Sequence, residues 1–211
     1  MRTIIFVNGA VSDYGALARW VQAGDTIICA DGGVTHCMAL GYRPQVVVGD
    51  MDSVDPDTLH RLAADGVELE RHPRHKDQTD LELALERALR DGADEVLILG
   101  ALGGRLDQAL ANILILAQRP WPVPIAVAEG NQVASVLHGG ETVTLRGSRG
   151  STVSLIPLSN EVTGVTYGGL EYDLTDAAIS LGSTRAVSNV VSESPATISI
   201  STGLALIVQT L

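Results

Sequence analysis

Val46-Val47-Val48-Gly49-Asp50-Met51-Asp52-Ser53 reads as a short buried strand that stops at two carboxylates. An apolar run of this length, ended by turn residues, fits a strand inside a covered sheet. If the strand's period of two continues, Met51 points away while Asp50 and Asp52 share a side. Two carboxylates that close repel each other. A hard divalent cation such as Mg²⁺ offsets that repulsion, because it takes carboxylate oxygens and keeps waters that a phosphate can displace. An acidic turn with a helix cap at Ser53 or Asp55 uses the same residue types, so the pair by itself fits both.

Similar runs lie on either side. Strand candidates are 3–7, 26–30, 46–48, 67–71, 95–99 and 125–128, and helical stretches fall at 12–23, 34–40, 56–65, 79–91 and 105–118. The segment 80–89, Asp-Leu-Glu-Leu-Ala-Leu-Glu-Arg-Ala-Leu, combines strong helix formers with apolar positions at helical spacing. This alternation predicts an α/β domain, a doubly wound and mostly parallel sheet with helices on both faces. The pattern changes at Pro120-Trp121-Pro122-Val123-Pro124, where no helix can continue. After Gly130 come short alternating runs rich in Ser, Thr, Val and Gly, at 132–137, 141–145, 152–157, 162–167, 170–174, 196–200 and 204–210. They predict an antiparallel β-sandwich or barrel. The expected domains are 1–130 and 131–211.

Composition narrows the function classes. At 211 residues, 45% of them hydrophobic, the chain can bury a substantial core, and with 3% aromatics that core is aliphatic. A net charge of −11 leaves no basic stripe for nucleic acid. Cys29 and Cys37 have no zinc-like spacing and read as free thiols in a reducing, cytoplasmic compartment. The opening MRTIIFVNG reads as a first strand and not as a signal peptide, and no apolar stretch is long enough for a membrane span.

The polar residues of the first domain follow its strands. Asn8-Gly9, Asp31-Gly32-Gly33, Gly49–Ser53, the segment 72–80 and Gly100–Asp107 each come after one strand candidate. In a parallel sheet these ends share one rim, where ligands of open α/β sheets bind. Gly32-Gly33 and Gly103-Gly104 precede helical segments whose free N–H groups can face a phosphate, although either pair also fits a tight turn. Lys76-Asp77-Gln78-Thr79-Asp80 places a cation, a hydroxyl and two carboxylates at a helix start. Asp77 is a candidate N-cap with Asp80 at the third helical position. Capping does not require Lys76, nor the basic approach His72, Arg74 and His75. Asp80 fits a metal site with Asp50 and Asp52, Lys76 fits phosphate oxygens, and Arg105 and Asp107 add a cation and a carboxylate. His36, His60 and His138 stand alone as solvated or satisfied core residues. No nucleophile–base arrangement emerges. In the second domain Gly182–Asn189 clusters hydroxyl and amide groups, as a long polar loop or as a contact for a small polar heterocycle.

Taken in order, Ala30-Asp31-Gly32-Gly33, Gly49-Asp50-Met51-Asp52-Ser53, Lys76-Asp77-Gln78-Thr79-Asp80, Gly103-Gly104-Arg105-Leu106-Asp107, and Gly182 with Val187-Ser188-Asn189 resemble the thiamine pyrophosphokinase (thiamine diphosphokinase) family. Each match is short, but the ordered set spans residues 30 to 189. The resemblance implies a catalytic α/β domain and a thiamine-binding, dimerising β-sandwich. It implies transfer of pyrophosphate from ATP to thiamine with Mg²⁺, and release of AMP, in a cytoplasmic homodimer with shared active sites. By the same resemblance Asp50, Asp52 and Asp80 hold the metal and, with Arg105, carry catalysis. Lys76, Gln78, Thr79, Gly103, Gly104, Arg105 and Asp107 serve ATP, and Asp31, Ser188 and Asn189 serve thiamine. Gln108 departs from the family's frequent His after the Arg-x-Asp, and the second domain has no Trp to stack on thiamine, which leaves Tyr167 or Tyr172 as substitutes. Competing readings are a pyrophosphokinase for another heterocyclic alcohol such as a hydroxymethylpterin, a metal-dependent phosphohydrolase, and a non-catalytic nucleotide or thiamine sensor.

Overall fold

The β-branched runs of the first part of the chain become strands covered on both faces. In the computed structural model, which describes residues 1–211, the first compact unit is Met1–Gly130. Its elements are β1 (Arg2–Phe6), α1 (Tyr14–Ala18), β2 (Thr26–Ala30), α2 (Val34–Ala39), β3 (Val46–Gly49), α3 (Pro56–Ala64), β4 (Glu68–Arg71), α4 (Asp80–Arg90), β5 (Glu95–Leu99), α5 (Leu106–Leu114) and β6 (Ile125–Glu129). The strands are all parallel, in the order β6-β5-β1-β2-β3-β4. All four residues of β3 are buried, as are the last four of β1, β2 and β5, which a sheet with helices on both faces requires.

From β1 to β4 the chain steps in one direction. It then crosses back to place β5 on the other side of β1. Right-handed crossovers put α2 and α3 on one face of the sheet and α4 and α5 on the other. The reversal opens a crevice between the loops after β1 and β5. β4 is the exposed edge, and its charged sequence Glu-Leu-Glu-Arg discourages pairing with another strand. Arg87 and Arg90 of α4 close over it: Arg87 donates to Glu68 at 2.6 Å and Glu70 at 2.8 Å, and Arg90 to Glu70 at 2.9 Å.

Two helix starts differ from expectation. The stretch 12–23 holds only the five residues of α1, capped by Asp13, whose carboxylate accepts from the Ala16 N–H at 3.0 Å. Asp25 accepts from the Gln22 N–H at 2.7 Å, and that local turn competes with further helix. At α4 the cap is Thr79 and not Asp77. Thr79 Oγ1 accepts from the Glu82 N–H at 3.2 Å, so Asp80 is the first helical residue rather than the third.

The second unit, Asn131–Leu211, is a β-sandwich. Its strands are β7 (Gln132–His138), β8 (Thr142–Thr144), β9 (Thr152–Pro157), β10 (Glu161–Gly168), β11 (Ala177–Ser180), β12 (Asn189–Val190), β13 (Thr197–Ser199) and β14 (Leu204–Thr210). One antiparallel layer runs β12-β9-β14-β7 and the other β11-β10-β13-β8. Alternate residues meet in the core: Leu137, Val153, Leu155 and Ile207 from the first layer, Val162, Val165, Ile179 and Ile198 from the second. The stretch 170–174 is not a strand. It makes a single bridge, Leu170 to Val191, and the turn after Gly168 returns Leu174 O to the Tyr167 N–H at 2.9 Å.

Candidate active site

The site begins with Met51. β3 ends at Gly49, so the strand period does not carry Asp50 and Asp52 to one side. Met51 instead takes a left-handed φ of 64° and buries its side chain. The chain turns there, and the Asp52 N–H donates to Asp50 Oδ1 at 3.2 Å. The outcome expected from alternation, Met51 inward and both carboxylates outward, thus arises from one positive φ.

Asp31 joins them from the end of β2. It too has a left-handed φ, 45°, in the 3₁₀ turn Asp31–Gly33. Asp31, Asp50 and Asp52 each offer a carboxylate oxygen, and these oxygens lie within 4.8 Å of one another. Asp31 Oδ1 is buried without a hydrogen-bond partner. An orphaned carboxylate oxygen beside two others suits a hard cation.

Asp80 stands next to this group but is paired differently. Its Oδ1 lies 3.0 Å from Lys76 Nζ, one turn apart. Burial raises the Asp80 carboxyl above its usual range, Lys76 opposes that shift, and the charges of Asp31 and Asp50 add to it. The acidic group therefore gathers Asp31, which sequence alone placed with the organic substrate, and sets Asp80 beside it on a lysine.

A cavity of about 680 Å³ lies at the strand reversal. Its wall includes Asn8, Gly9 and Ala10 after β1, Asp31 after β2, Ser53 after β3, Arg74, Lys76, Gln78, Thr79 and Asp80 before and at the start of α4, and Gly103, Gly104 and Arg105 after β5. Gly103 needs its missing side chain: φ is 80°, and a β-carbon would stand 2.8 Å from Ala10 O. Thr79 Oγ1 accepts from the helix, which leaves its proton for a ligand. Gln78 donates its amide N–H to Glu86 at 3.0 Å, so its carbonyl oxygen is turned away from Glu86. Arg105 pairs with Asp107 at 2.5 Å, both exposed; the hydrogen bond holds the arginine's pKa up and the aspartate's down. Arg74 Nε lies 3.5 Å from Asp52 Oδ2.

Buried residues hold the loops. His36 Nε2 donates to Gly9 O at 2.8 Å, since a carbonyl can only accept, and Nδ1 faces the Tyr14 hydroxyl at 2.9 Å. His36 is thus a satisfied core residue. Asn112 donates to Ala101 O at 2.8 Å from within the cavity wall. Asn112 carries no motif that marks it, but Arg105, Gln108 and Asn112 fall at i, i+3 and i+7 on one helical face, and all three line the cavity. Asn8 and Ser53 are further wall residues; of the two candidate caps Ser53 and Asp55, it is Asp55 that caps α3, accepting from the Thr58 N–H at 3.0 Å.

In the second unit Ser188 is exposed with φ 61°, and its N–H donates to Ser154 Oγ at 3.0 Å. Asn189 is buried. Its amide accepts from the Tyr172 N–H at 3.0 Å and donates to Tyr172 O at 2.8 Å, which fixes the neighbouring loop. Tyr172 is exposed, whereas Tyr167 is buried with its hydroxyl pKa raised by burial to about 12.

Known proteins share this architecture. A family model described as "Thiamin pyrophosphokinase, catalytic domain" matches residues 17–123, and one described as "Thiamin pyrophosphokinase, vitamin B1 binding domain" matches residues 141–205. Thiamine pyrophosphokinase of Bacillus subtilis (strain 168) is 30% identical over 211 residues, 99% of either chain. The crystal structure of thiamine pyrophosphokinase from Bacillus subtilis superposes with a TM-score of 0.87 at 27% identity, covering 100% of this chain and 99% of that one. The thiamin pyrophosphokinase from Geobacillus thermodenitrificans gives a TM-score of 0.84 at 28% identity, covering 100% and 98%. The chain belongs to the thiamine pyrophosphokinase family.

Proposed function

We propose that the chain transfers the pyrophosphoryl group of ATP to thiamine, giving thiamine diphosphate and AMP. The observation that carries this reading is the meeting of Asp31, one member of the acidic group, with Asp80, three cations and glycine-rich turns around one cavity at the strand reversal. The hydroxyethyl oxygen of thiamine attacks the β-phosphorus, the bond to the α–β bridging oxygen breaks, and AMP leaves with that oxygen. The alcohol's proton passes to an acceptor among the site carboxylates. Such transfers require positioning and charge neutralisation more than a strong base.

Asp31, Asp50 and Asp52 would hold Mg²⁺, with Asp80 beside them. When bound, the ion neutralises phosphate charge and stabilises the leaving oxygen of AMP. Lys76 and Arg105 supply charge-assisted contacts to phosphate oxygens, Thr79 a hydroxyl proton, and the turn at Gly103-Gly104 backbone N–H groups. Gln78 offers its carbonyl oxygen, which suits a hydroxyl or amine of the nucleoside better than a phosphate. Asp107 holds Arg105.

Ser188 and the loop fixed by Asn189 contact thiamine, whose positive charge suits a chain of net charge −11. The protein works as a homodimer, with this loop supplied by the partner subunit. An exposed stripe on α5 supports the dimer: Leu106 is 80% exposed, Leu110 55% and Leu114 47%, a row that a second copy would cover. Two buried free cysteines support a cytoplasmic setting, and no helix is long and apolar enough to cross a membrane. Incubation with ATP, Mg²⁺ and thiamine should give AMP and thiamine diphosphate. ADP with the monophosphate, or free pyrophosphate without thiamine consumption, would overturn the reading.

A further inference from the structure

The cavity wall carries three cations, and each is already committed to a carboxylate. Lys76 lies 3.0 Å from Asp80, Arg74 3.5 Å from Asp52, and Arg105 2.5 Å from Asp107. Asp52 belongs to the acidic group, and Asp80 stands against it. Asp107 does not belong to it. The side chain of Lys76 is only 15% exposed and lies against Asp80. A carboxylate this close to Asp31 and Asp50 requires a cation beside it.

We propose that Lys76 and Arg74 are the resident counter-ions of the acidic group and of Asp80 beside it, and that they pass to the phosphates of the nucleotide when a divalent metal neutralises those carboxylates. The inference rests on the metal and phosphate roles proposed above. It adds a role for Arg74, and it makes metal and nucleotide binding one exchange of ion pairs. A metal held by Asp31, Asp50 and Asp52 would repel the ammonium and the guanidinium and would neutralise the carboxylates they face. The two cations are then left without carboxylates at the cavity where the phosphates arrive. The four-carbon stem of Lys76 allows that movement without moving the backbone. Arg74, with 77% of its side chain exposed, has open solvent to move through.

The exchange gives each cation effects of opposite sign. Removing it lifts a competitor from the metal site and deletes a phosphate contact. A lysine or arginine that served phosphate alone would leave metal binding without nucleotide unchanged. The test is a Mn²⁺ titration of the full chain in the absence of nucleotide, read as free Mn²⁺ by electron paramagnetic resonance. Lys76→Met and Arg74→Gln should bind Mn²⁺ about three- to tenfold tighter than the parent at low salt, the size expected for one neighbouring like charge. Arg105→Gln should leave Mn²⁺ binding unchanged, because its carboxylate lies outside the group. Lys76→Met and Arg74→Gln should both bind the magnesium complex of ATP more weakly. Asp50→Asn separates the two readings. If it loses Mn²⁺ while Lys76→Met and Arg74→Gln bind no tighter than the parent, the exchange is wrong and the metal site stands. If Asp50→Asn binds Mn²⁺ as the parent does, the metal site falls and the exchange with it. Should Lys76→Met fail to fold, the exposed Arg74→Gln still decides.

Discussion

Gly49 and Asp80 are in near contact: a β-carbon on Gly49 would stand 2.9 Å from Asp80 Oδ1. The end of β3 and the start of α4 meet there, and Gly49 has a φ of 145° that suits no other residue. Gly49→Ala should therefore lose turnover, and it should destabilise by about 1–3 kcal/mol from backbone strain alone. Near-parental activity in a folded Gly49→Ala protein would show that Asp80 need not stay where it stands.

Asp50→Asn and Asp80→Asn should each abolish transfer, a loss of several kcal/mol of transition-state stabilisation. Both should keep the fold. Burial raises the Asp80 carboxyl, so the folded state holds its proton more tightly than the unfolded chain does. Stability at this position then falls as pH rises above the ordinary carboxylate range. Without metal, Asp80→Asn should melt at the parent's temperature or higher at pH 7. A clear drop in melting temperature would mean that the carboxylate is structural.

Arg105→Ala should raise the KM for ATP while leaving that for thiamine near its parental value. Its guanidinium is exposed and tied to Asp107, ready for a phosphate. Steady-state kinetics with each substrate varied in turn checks this; unchanged ATP parameters would mean that Arg105 and Asp107 only pair with each other in solvent.

Ser188→Ala combined with Asn189→Ala should raise the KM for thiamine and leave ATP binding intact. Mixed with Asp50→Asn, itself inactive, the double variant should regain part of the activity, because one hybrid site per dimer is whole. A mixture that stays inactive after confirmed subunit exchange would place the site within one chain.

Acid sensitivity should centre on the exposed edge of the sheet. Burial pushes the Glu70 carboxyl up, but hydrogen bonds from Arg87, Arg90 and His72 outweigh it and hold the pKa at about 2, against 4.5 for the unrestrained group. A depressed pKa contributes stability above pH 4.5 and loses it as pH falls towards 2, on the order of 1 kcal/mol once solvent screening is allowed for. Urea midpoints measured from pH 6 to pH 2.5 should fall steeply for the parent and less for Glu70→Gln. Parallel curves would assign the acid sensitivity to other carboxylates.

Much of this architecture is legible in the chain. Thr152–Pro157 alternates hydroxyl and aliphatic residues as far as Leu155, Leu204–Thr210 opens with a continuous apolar run, and both form strands over those residues. Asn189–Val190 was illegible, since two residues have no period and pair only with Val153 and Thr152. The run 170–174 alternates as a strand should, but its backbone bonds are divided among the Val190 carbonyl, the Asn189 side chain and a turn back to Tyr167. In the site, the rim and its charged residues follow from strand order. The company kept by Asp31 does not, because it depends on a left-handed φ at a non-glycine residue, which leaves no local trace. The cap at Thr79 is hidden by Asp77, a stronger capping type two residues earlier.

Position 51 serves two masters with one side chain. Its left-handed backbone favours glycine or asparagine, while the core it plugs calls for methionine or leucine. Glycine would relieve the backbone and release the anchor; leucine would keep the anchor and the strain. A mutational scan should therefore mark Met51 as intolerant although it touches no substrate. The sensitivity would appear as disordered carboxylates before it appeared as an unfolded protein.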